Sequence, residues 1–94
     1  MRQLVQTPKF LRTFRKFAGR SPRLQKQIED ALRQIQDDVF TPTLGTHKLS
    51  GQLLGLRACS CGYDCRIVFT IQTDPKTGNE VIVLISVGTH DEVY

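Results

Sequence analysis

The sequence predicts an α+β fold in which an N-terminal strand and a helical hairpin pack on an antiparallel sheet. Three observations predict it. Apolar residues recur at helical spacing through the first third of the chain, the apolar period changes to two after residue 53, and turn-forming residues separate the later apolar runs. Helices grouped before a strand meander are typical of a two-layer α+β architecture. The 94 residues are the size of a single domain, which we expect to span positions 1–94.

Two proline-containing start signals place the helices. After a candidate strand at residues 2–6, a Thr-Pro pair at 7–8 begins the first helix, and Gly19 ends it. A Ser-Pro pair at 21–22 begins the second helix, which runs to about Asp38. The turn between the helices is so short that they should pack as an antiparallel hairpin.

The second part of the chain predicts three strands. Residues 39–51 are interpreted as a loop, and alternation from Leu53 begins a strand that ends at a turn over 62–64. The next strand starts at Cys65 and ends before a turn at 74–79, and the last strand covers 80–87.

Alternation also predicts which face of the sheet each side chain occupies. We expect Leu54, Leu56, Ile67 and Phe69 to face the helices, which leaves Arg57 and Arg66 together on the open face. Neighbouring guanidinium groups repel unless an anion joins them, and phosphate fits that role. The alternative is an ion pair with Asp64 or Glu80.

Positive charge is concentrated in the first part of the chain. Nine basic and two acidic side chains give residues 1–36 a net charge of +7, whereas four basic and seven acidic side chains give residues 37–94 a net charge of −3, for a total of +4. Such a field attracts RNA or DNA, although a solvated helical surface would look the same. The candidate RNA-binding side chains are Lys9, Arg12, Arg15, Lys16, Arg20, Arg23, Lys26 and Lys48.

Two histidines are candidates for proton transfer. His90 follows the last strand, with Asp91 or Glu92 available to orient it and Tyr94 available to stack on a base; His47 lies in the loop. Together with the two arginines they would form a metal-free phosphoryl-transfer site, in which RNA supplies its own 2′-hydroxyl as nucleophile. Each histidine alone is equally compatible with a solvated surface position.

The remaining composition bounds the site and its location. Cys59, Cys61 and Cys65 are interpreted as thiols; a zinc site formed by them with His47 is the alternative, but the C-x-C-x₃-C spacing is not a strong zinc pattern. We therefore expect neither metal nor cofactor. No apolar run is long enough to span a bilayer and no signal-peptide pattern opens the chain, which predicts a cytoplasmic protein without membrane contact.

The chain resembles the RelE/ParE superfamily of bacterial type II toxins and, within it, the YafQ-like ribosome-dependent mRNA endonucleases. The resemblance covers nearly the whole length and rests on the helical hairpin and on four segments: HKLSG at 47–51, LRAC at 56–59, CRIVF at 65–69 and VGTHDEVY at 87–94. The last segment is the most specific, because a strand ending in Gly-Ser/Thr-His before a C-terminal aromatic residue is typical of the YafQ-like branch.

This resemblance implies a RelE-like, microbial-RNase-like fold and a toxin that enters the ribosomal A site and cuts mRNA. The products would carry a 2′,3′-cyclic phosphate or 3′-phosphate and a 5′-hydroxyl. It also implies a cognate antitoxin that covers the basic surface, and operator DNA bound only through the antitoxin complex.

Residue by residue, the resemblance assigns His90 as the main catalytic histidine, His47 as the loop histidine and Tyr94 as the terminal aromatic. Arg66 lies on the strand that bears an active-site arginine in related toxins. The YafQ-like branch usually has a further histidine near the end of the preceding strand, where this chain has cysteines, while Asp64 could fill an acidic role. The second acid or base is then His47, with the arginines holding the phosphate.

Two other functions remain open at this point. One is a ParE-like toxin that inhibits gyrase without nuclease activity, and the other is a catalytically inactive module that binds an antitoxin or RNA. Gyrase-inhibiting members generally lack the terminal histidine, so His90 is the feature that favours the nuclease.

Overall fold

The computed structural model describes residues 2–94. Its strands and helices are, in chain order, β1 (Gln3–Gln6), α1 (Pro8–Ala18), α2 (Pro22–Asp37), β2 (His47–Lys48), β3 (Arg57–Gly62), β4 (Cys65–Thr73), β5 (Glu80–Gly88) and α3 (His90–Val93). Short 3₁₀ turns at Pro42–Leu44 and Gly51–Leu53 flank β2. This is the α+β fold that the sequence predicts.

The strands form one sheet in the order β1-β5-β4-β3-β2. Strands β2 to β5 pair antiparallel, as predicted, but β1 pairs parallel with β5. The parallel pair follows from the connection, because the chain leaves β1 into the helical hairpin and returns to its side only in β5. Helix α1 packs on β5, and α2 packs on β3.

Both helices begin where the sequence predicts. The Thr7 hydroxyl accepts the Phe10 N–H at 3.1 Å, and the Ser21 hydroxyl accepts the Arg23 N–H at 3.1 Å. Each cap satisfies an N–H that the first helical turn leaves without an intrahelical partner. The buried core between the helices and the sheet includes Phe10, Phe17, Ile28, Ile35, Ile67, Phe69, Ile82 and Leu84.

The segment before β3 differs from the prediction. Strand β3 begins at Arg57 rather than Leu53, and Leu54 is 80% exposed instead of facing the helices. Gly51 and Gly55 have φ of +66° and +93°, so the backbone turns here and cannot continue as an extended strand.

The predicted placement of Arg57 is wrong. In the β3–β4 pairing Arg57 lies opposite Phe69, and Cys59 lies opposite Ile67. Directly opposed residues share a face, so Arg57 lies on the side of the buried core, whereas Arg66 lies on the other side. The cause is that Cys59 is fully buried, since cysteine behaves as a small apolar residue and marks the core face of β3.

The face that carries Arg66 is also less open than predicted. Ala58 and Val68, which pair with each other on this face, are buried. Helix α3, which the sequence analysis left as a polar tail, packs against β4 and β5. Within residues 2–94, no helix combines the length and apolar character that crossing a membrane requires.

Candidate active site

Four of the predicted site residues come together at the start of α3. Asp64 lies in the turn between β3 and β4, Arg66 lies near the start of β4, and His90 and Tyr94 lie at the two ends of α3. Arg66 pairs with Gly88, two residues before His90. The Asp64 Oδ1 atom accepts the backbone N–H of His90 at 3.0 Å. This hydrogen bond fixes the first residue of α3 to the β3–β4 turn.

The imidazole of His90 is accessible and oriented. Its side chain is 63% exposed, and its ring packs edge-to-face on Tyr94 with 4.6 Å between ring centroids. Nδ1 lies 3.5 Å from Oδ1 of Asp91, while Nε2 has no hydrogen-bond partner in residues 2–94. His90 therefore presents Nε2 to solvent, where a substrate could reach it.

Arg66 is half-buried and anchored through one of its nitrogens. Nη1 donates to the carbonyl oxygen of Gly62 at 3.2 Å and to that of Cys65 at 2.9 Å. The other guanidinium N–H groups make no hydrogen bond in the described chain, so they remain able to bind a phosphate oxygen. Burial raises the pKa of Tyr94, with the nearby Arg66 charge opposing the rise, so the tyrosine hydroxyl stays protonated and can donate.

Helix α3 is held in place by a reciprocal cap. The Thr89 hydroxyl accepts the Glu92 N–H at 3.3 Å, and the Glu92 carboxylate accepts the Thr89 N–H at 3.0 Å. Oε2 of Glu92 also accepts from Arg20 at 3.0 Å. The turn between α1 and α2 therefore contacts the helix that carries His90.

We expect the attachment of α3 to be lost in acid. The hydrogen bond from the Thr89 backbone, with a smaller contribution from Arg20, lowers the pKa of Glu92 below its ordinary value. A group with a lowered folded-state pKa stabilises the fold above its unfolded pKa and loses that contribution as the pH falls through the folded value. Exchange of the Glu92 amide proton, measured by NMR, should therefore accelerate relative to core amides below about pH 4. A Glu92→Gln variant should show no such change, and acceleration in both proteins would contradict the assignment.

Two predicted residues lie outside this group. His47 pairs with Ala58 at the edge of the sheet, and β2 is three strands from β5, about 14 Å at the usual strand spacing. The guanidinium of Arg57 lies 5.3 Å from the ring centroid of Phe40. The expected convergence of two histidines and two arginines is therefore not formed.

The predicted RNA-binding side chains are all exposed. Two of them, Lys9 and Lys16, line a cleft of about 250 Å³ between α1 and α3, together with Thr13, Ser86 and Val93. Neither lysine forms an ion pair within residues 2–94. The basic face of α1 thus extends to the flank of the helix that bears His90.

The prediction of three thiols is wrong. Cys61 and Cys65 form a disulfide across the β3–β4 turn, with their Cα atoms 5.0 Å apart. The irregular register at the end of β3 brings these positions within the usual disulfide range. Cys59 is the free cysteine of the described chain, and burial raises its pKa to about 12. No three His, Cys, Asp or Glu side chains in that part of the chain are placed to hold a metal ion.

Cys59 should be unreactive in the folded protein. The thiolate is the nucleophile in alkylation, and burial keeps this thiol protonated. Iodoacetamide should therefore leave the native, non-reduced protein unlabelled by mass spectrometry and should add one label after unfolding without reductant. Two or three labels after that unfolding would contradict the disulfide.

Sequence reasoning missed three contributions to this site: the disulfide, the Asp64–His90 backbone hydrogen bond and the Arg20–Glu92 pair. One of them had a readable signal, because Thr89 followed by Glu92 three positions later is the pattern of a capping box. The backbone hydrogen bond had none, since it joins positions 26 residues apart.

Comparison with known proteins gives a consistent fold. No protein-family model and no curated protein matches the sequence. Among solved structures, the YoeB/ParE toxin from Agrobacterium tumefaciens is 17% identical with a TM-score of 0.76, covering 94% of this chain and 98% of that one. YafQ from E. coli is 10% identical with a TM-score of 0.79, covering 100% of this chain and 99% of that one. YafQ in the E. coli DinJ-YafQ toxin-antitoxin complex is 12% identical with a TM-score of 0.75, covering 99% and 97%. The chain therefore has the fold of the YoeB/ParE and YafQ toxins, as its sequence resemblance implies.

Proposed function

We propose that this protein is the toxin of a type II toxin–antitoxin system and acts as a ribosome-dependent mRNA endoribonuclease. The observation that carries the proposal is the accessible Nε2 of His90 beside the half-buried Arg66, both positioned by the same β3–β4 turn. The fold of the toxins YoeB/ParE and YafQ supports it. An imidazole next to a guanidinium suits the cleavage of a phosphodiester, because one moves a proton while the other stabilises negative charge.

In the proposed reaction the 2′-hydroxyl of RNA attacks the adjacent phosphorus. A new bond joins the 2′-oxygen to phosphorus and the bond to the 5′-oxygen breaks, giving a 2′,3′-cyclic phosphate and a 5′-hydroxyl. The hydroxyl proton passes to a base and the leaving oxygen takes a proton from an acid, and His90 performs one of these transfers. A pH–rate profile distinguishes them, since a general base gives a rate that rises with pH and a general acid a rate that falls.

The other site residues have supporting roles. Arg66 stabilises charge on the phosphate, Tyr94 positions a base or the leaving side, and Asp64 holds the start of α3 through its hydrogen bond to the backbone of His90. His47 and Arg57 lie apart from this group, so we assign them no step in the chemistry.

The proposed partners follow from the fold and the charge. A cognate antitoxin would bind the exposed basic surface, as DinJ assembles with YafQ, and operator DNA would be bound only through that complex. The ribosome and A-site mRNA are the proposed substrate assembly, and the cytoplasm is the proposed location.

The direct test is cleavage on translating ribosomes. Purified protein added to a defined translation system should cut mRNA within the A-site codon and leave 5′-hydroxyl ends, mapped by primer extension with and without kinase treatment. Intact mRNA with double-strand breaks in DNA after expression would instead support a gyrase-inhibiting toxin. Intact mRNA without growth arrest would support an inactive binding module. Either result would overturn the nuclease proposal.

The cleft between α1 and α3 gives a further prediction. Replacing Lys9 and Lys16 by Gln should weaken RNA binding and reduce the dependence of log K on log salt by about 1.4, because each lost phosphate contact removes about 0.7 for a single strand. Lys76→Gln is the control, because Lys76 is an exposed lysine in the turn between β4 and β5. Binding to single-stranded RNA, measured across a salt series, checks the effect. An equal change in both proteins would remove the cleft from the RNA path.

A further inference from the structure

The turn between β3 and β4 is closed by a covalent bond. The Cys61–Cys65 disulfide encloses Gly62, Tyr63 and Asp64 in a five-residue loop. Tyr63 is 99% exposed, so packing of its side chain contributes nothing to holding the turn. Asp64 has φ of +50°, a left-handed conformation that is uncommon for a residue other than glycine. The loop therefore keeps a strained residue in place with little help from side-chain packing.

This small loop makes both contacts that position the proposed catalytic groups. The carbonyl oxygens of Gly62 and Cys65 accept from Arg66 Nη1, and Oδ1 of Asp64 accepts from the backbone of His90. The guanidinium and the helix that carries the imidazole are thus oriented by the same five residues.

The rest of the hairpin does not depend on the disulfide. Between Arg57 and Ser60, β3 pairs with the stretch of β4 from Phe69 to Arg66 through a regular antiparallel ladder. The core residues Ile67 and Phe69 are buried between sheet and helices. Opening the disulfide should therefore loosen the turn while the sheet and the core stay folded.

We propose that the Cys61–Cys65 disulfide is a positioning element of the catalytic centre, so that its reduction lowers the rate of RNA cleavage. This inference rests on the proposed function. A dithiol supplies two electrons and two protons, the S–S bond breaks, two thiols form and the dithiol becomes a disulfide. Cys59 takes no part, because it is buried and its thiol lies outside the loop. Oxidised protein is the active form, and a reducing environment weakens it.

The test compares oxidised and reduced protein directly. Treatment with dithiothreitol should lower kcat for ribosome-dependent cleavage by about tenfold to a hundredfold, the cost of misplacing catalytic groups, with KM changed less than about twofold. A Cys61→Ser/Cys65→Ser variant should match the reduced protein and show no response to dithiothreitol. Cys59→Ala keeps the pair and should respond as the wild-type protein does.

A second readout does not require nuclease activity. Hydrogen exchange at the His90 amide should accelerate on reduction, while the amides of Ile28 and Ile67 in the core remain protected. Faster His90 exchange without cleavage in either state would overturn the proposed function and support the positioning role. Unchanged exchange together with cleavage that is indifferent to reduction would overturn the inference alone. A free thiol at Cys61 in the non-reduced protein would also overturn it.

Discussion

Replacing His90 by Gln is expected to reduce cleavage of mRNA on translating ribosomes by about 10²- to 10⁴-fold, the usual contribution of a positioned acid or base. The side chain is 63% exposed, and Nε2 makes no hydrogen bond within residues 2–94. Its removal therefore withdraws a proton carrier without disturbing a packed group. The cap of α3 uses Thr89 and Glu92, so the helix should remain folded. Single-turnover cleavage of a defined mRNA measures the loss.

His47→Gln is the matched control for this prediction. His47 is also an exposed histidine, but it lies at the sheet edge three strands from β5. Its replacement should leave the single-turnover rate close to that of the wild-type protein. The assignment of His90 fails if His90→Gln retains its rate, or if both variants lose activity equally. Equal thermal unfolding midpoints for the three proteins would show that the fold is intact.

Replacing Asp64 is expected to lower the cleavage rate through the position of His90. In Asp64→Gly the left-handed backbone becomes easier to adopt, but the acceptor for the His90 N–H is lost. In Asp64→Asn the side-chain oxygen remains, and asparagine tolerates this conformation. We therefore expect about a tenfold fall in kcat for Asp64→Gly, equivalent to about 1.4 kcal/mol, and a rate near that of the wild-type protein for Asp64→Asn.

These two variants separate a positioning role from a direct chemical one. If the carboxylate itself moved a proton, Asp64→Asn would be as slow as Asp64→Gly and the pH–rate profile would lose a limb. If backbone strain alone mattered, Asp64→Gly would be as fast as the wild-type protein. Measurement of kcat and KM for both variants between pH 5 and pH 9 decides between these outcomes.

Local sequence signals predicted the parts of the fold that depend on local physics. The Thr7 and Ser21 caps, the turn at 62–64 and the turn at 74–79 all occur where expected, because each rests on hydrogen bonds or backbone preferences of neighbouring residues. The α+β class followed from apolar periodicity, which reports burial directly.

The face of β3 could not be predicted in the same way. Its two alternating sets are Leu54, Leu56 and Ala58 on one side and Arg57, Cys59 and Cys61 on the other, and the leucines are the more apolar set. The structure buries the cysteines because the backbone turns at Gly55 and the leucines fall outside the strand. Placement of a residue then depends on where the strand begins, which periodicity does not determine.

For the candidate site, sequence placed the right chemistry but only part of the arrangement. His90, Arg66, Asp64 and Tyr94 meet as expected, because they border adjacent strands β4 and β5. His47 does not join them, since the number of strands between β2 and β5 is a property of sheet order rather than of local sequence.

The parallel pairing of β1 with β5 has a consequence for biosynthesis. Gln3 pairs with Val81, so the first strand stays without its neighbour until nearly the whole chain has been translated. Contacts this distant in sequence slow folding, because a long loop must close before they form. His90 follows β5 in the chain. We therefore expect the nascent polypeptide to remain inactive while attached to the ribosome that makes it, with the cutting activity appearing only after release.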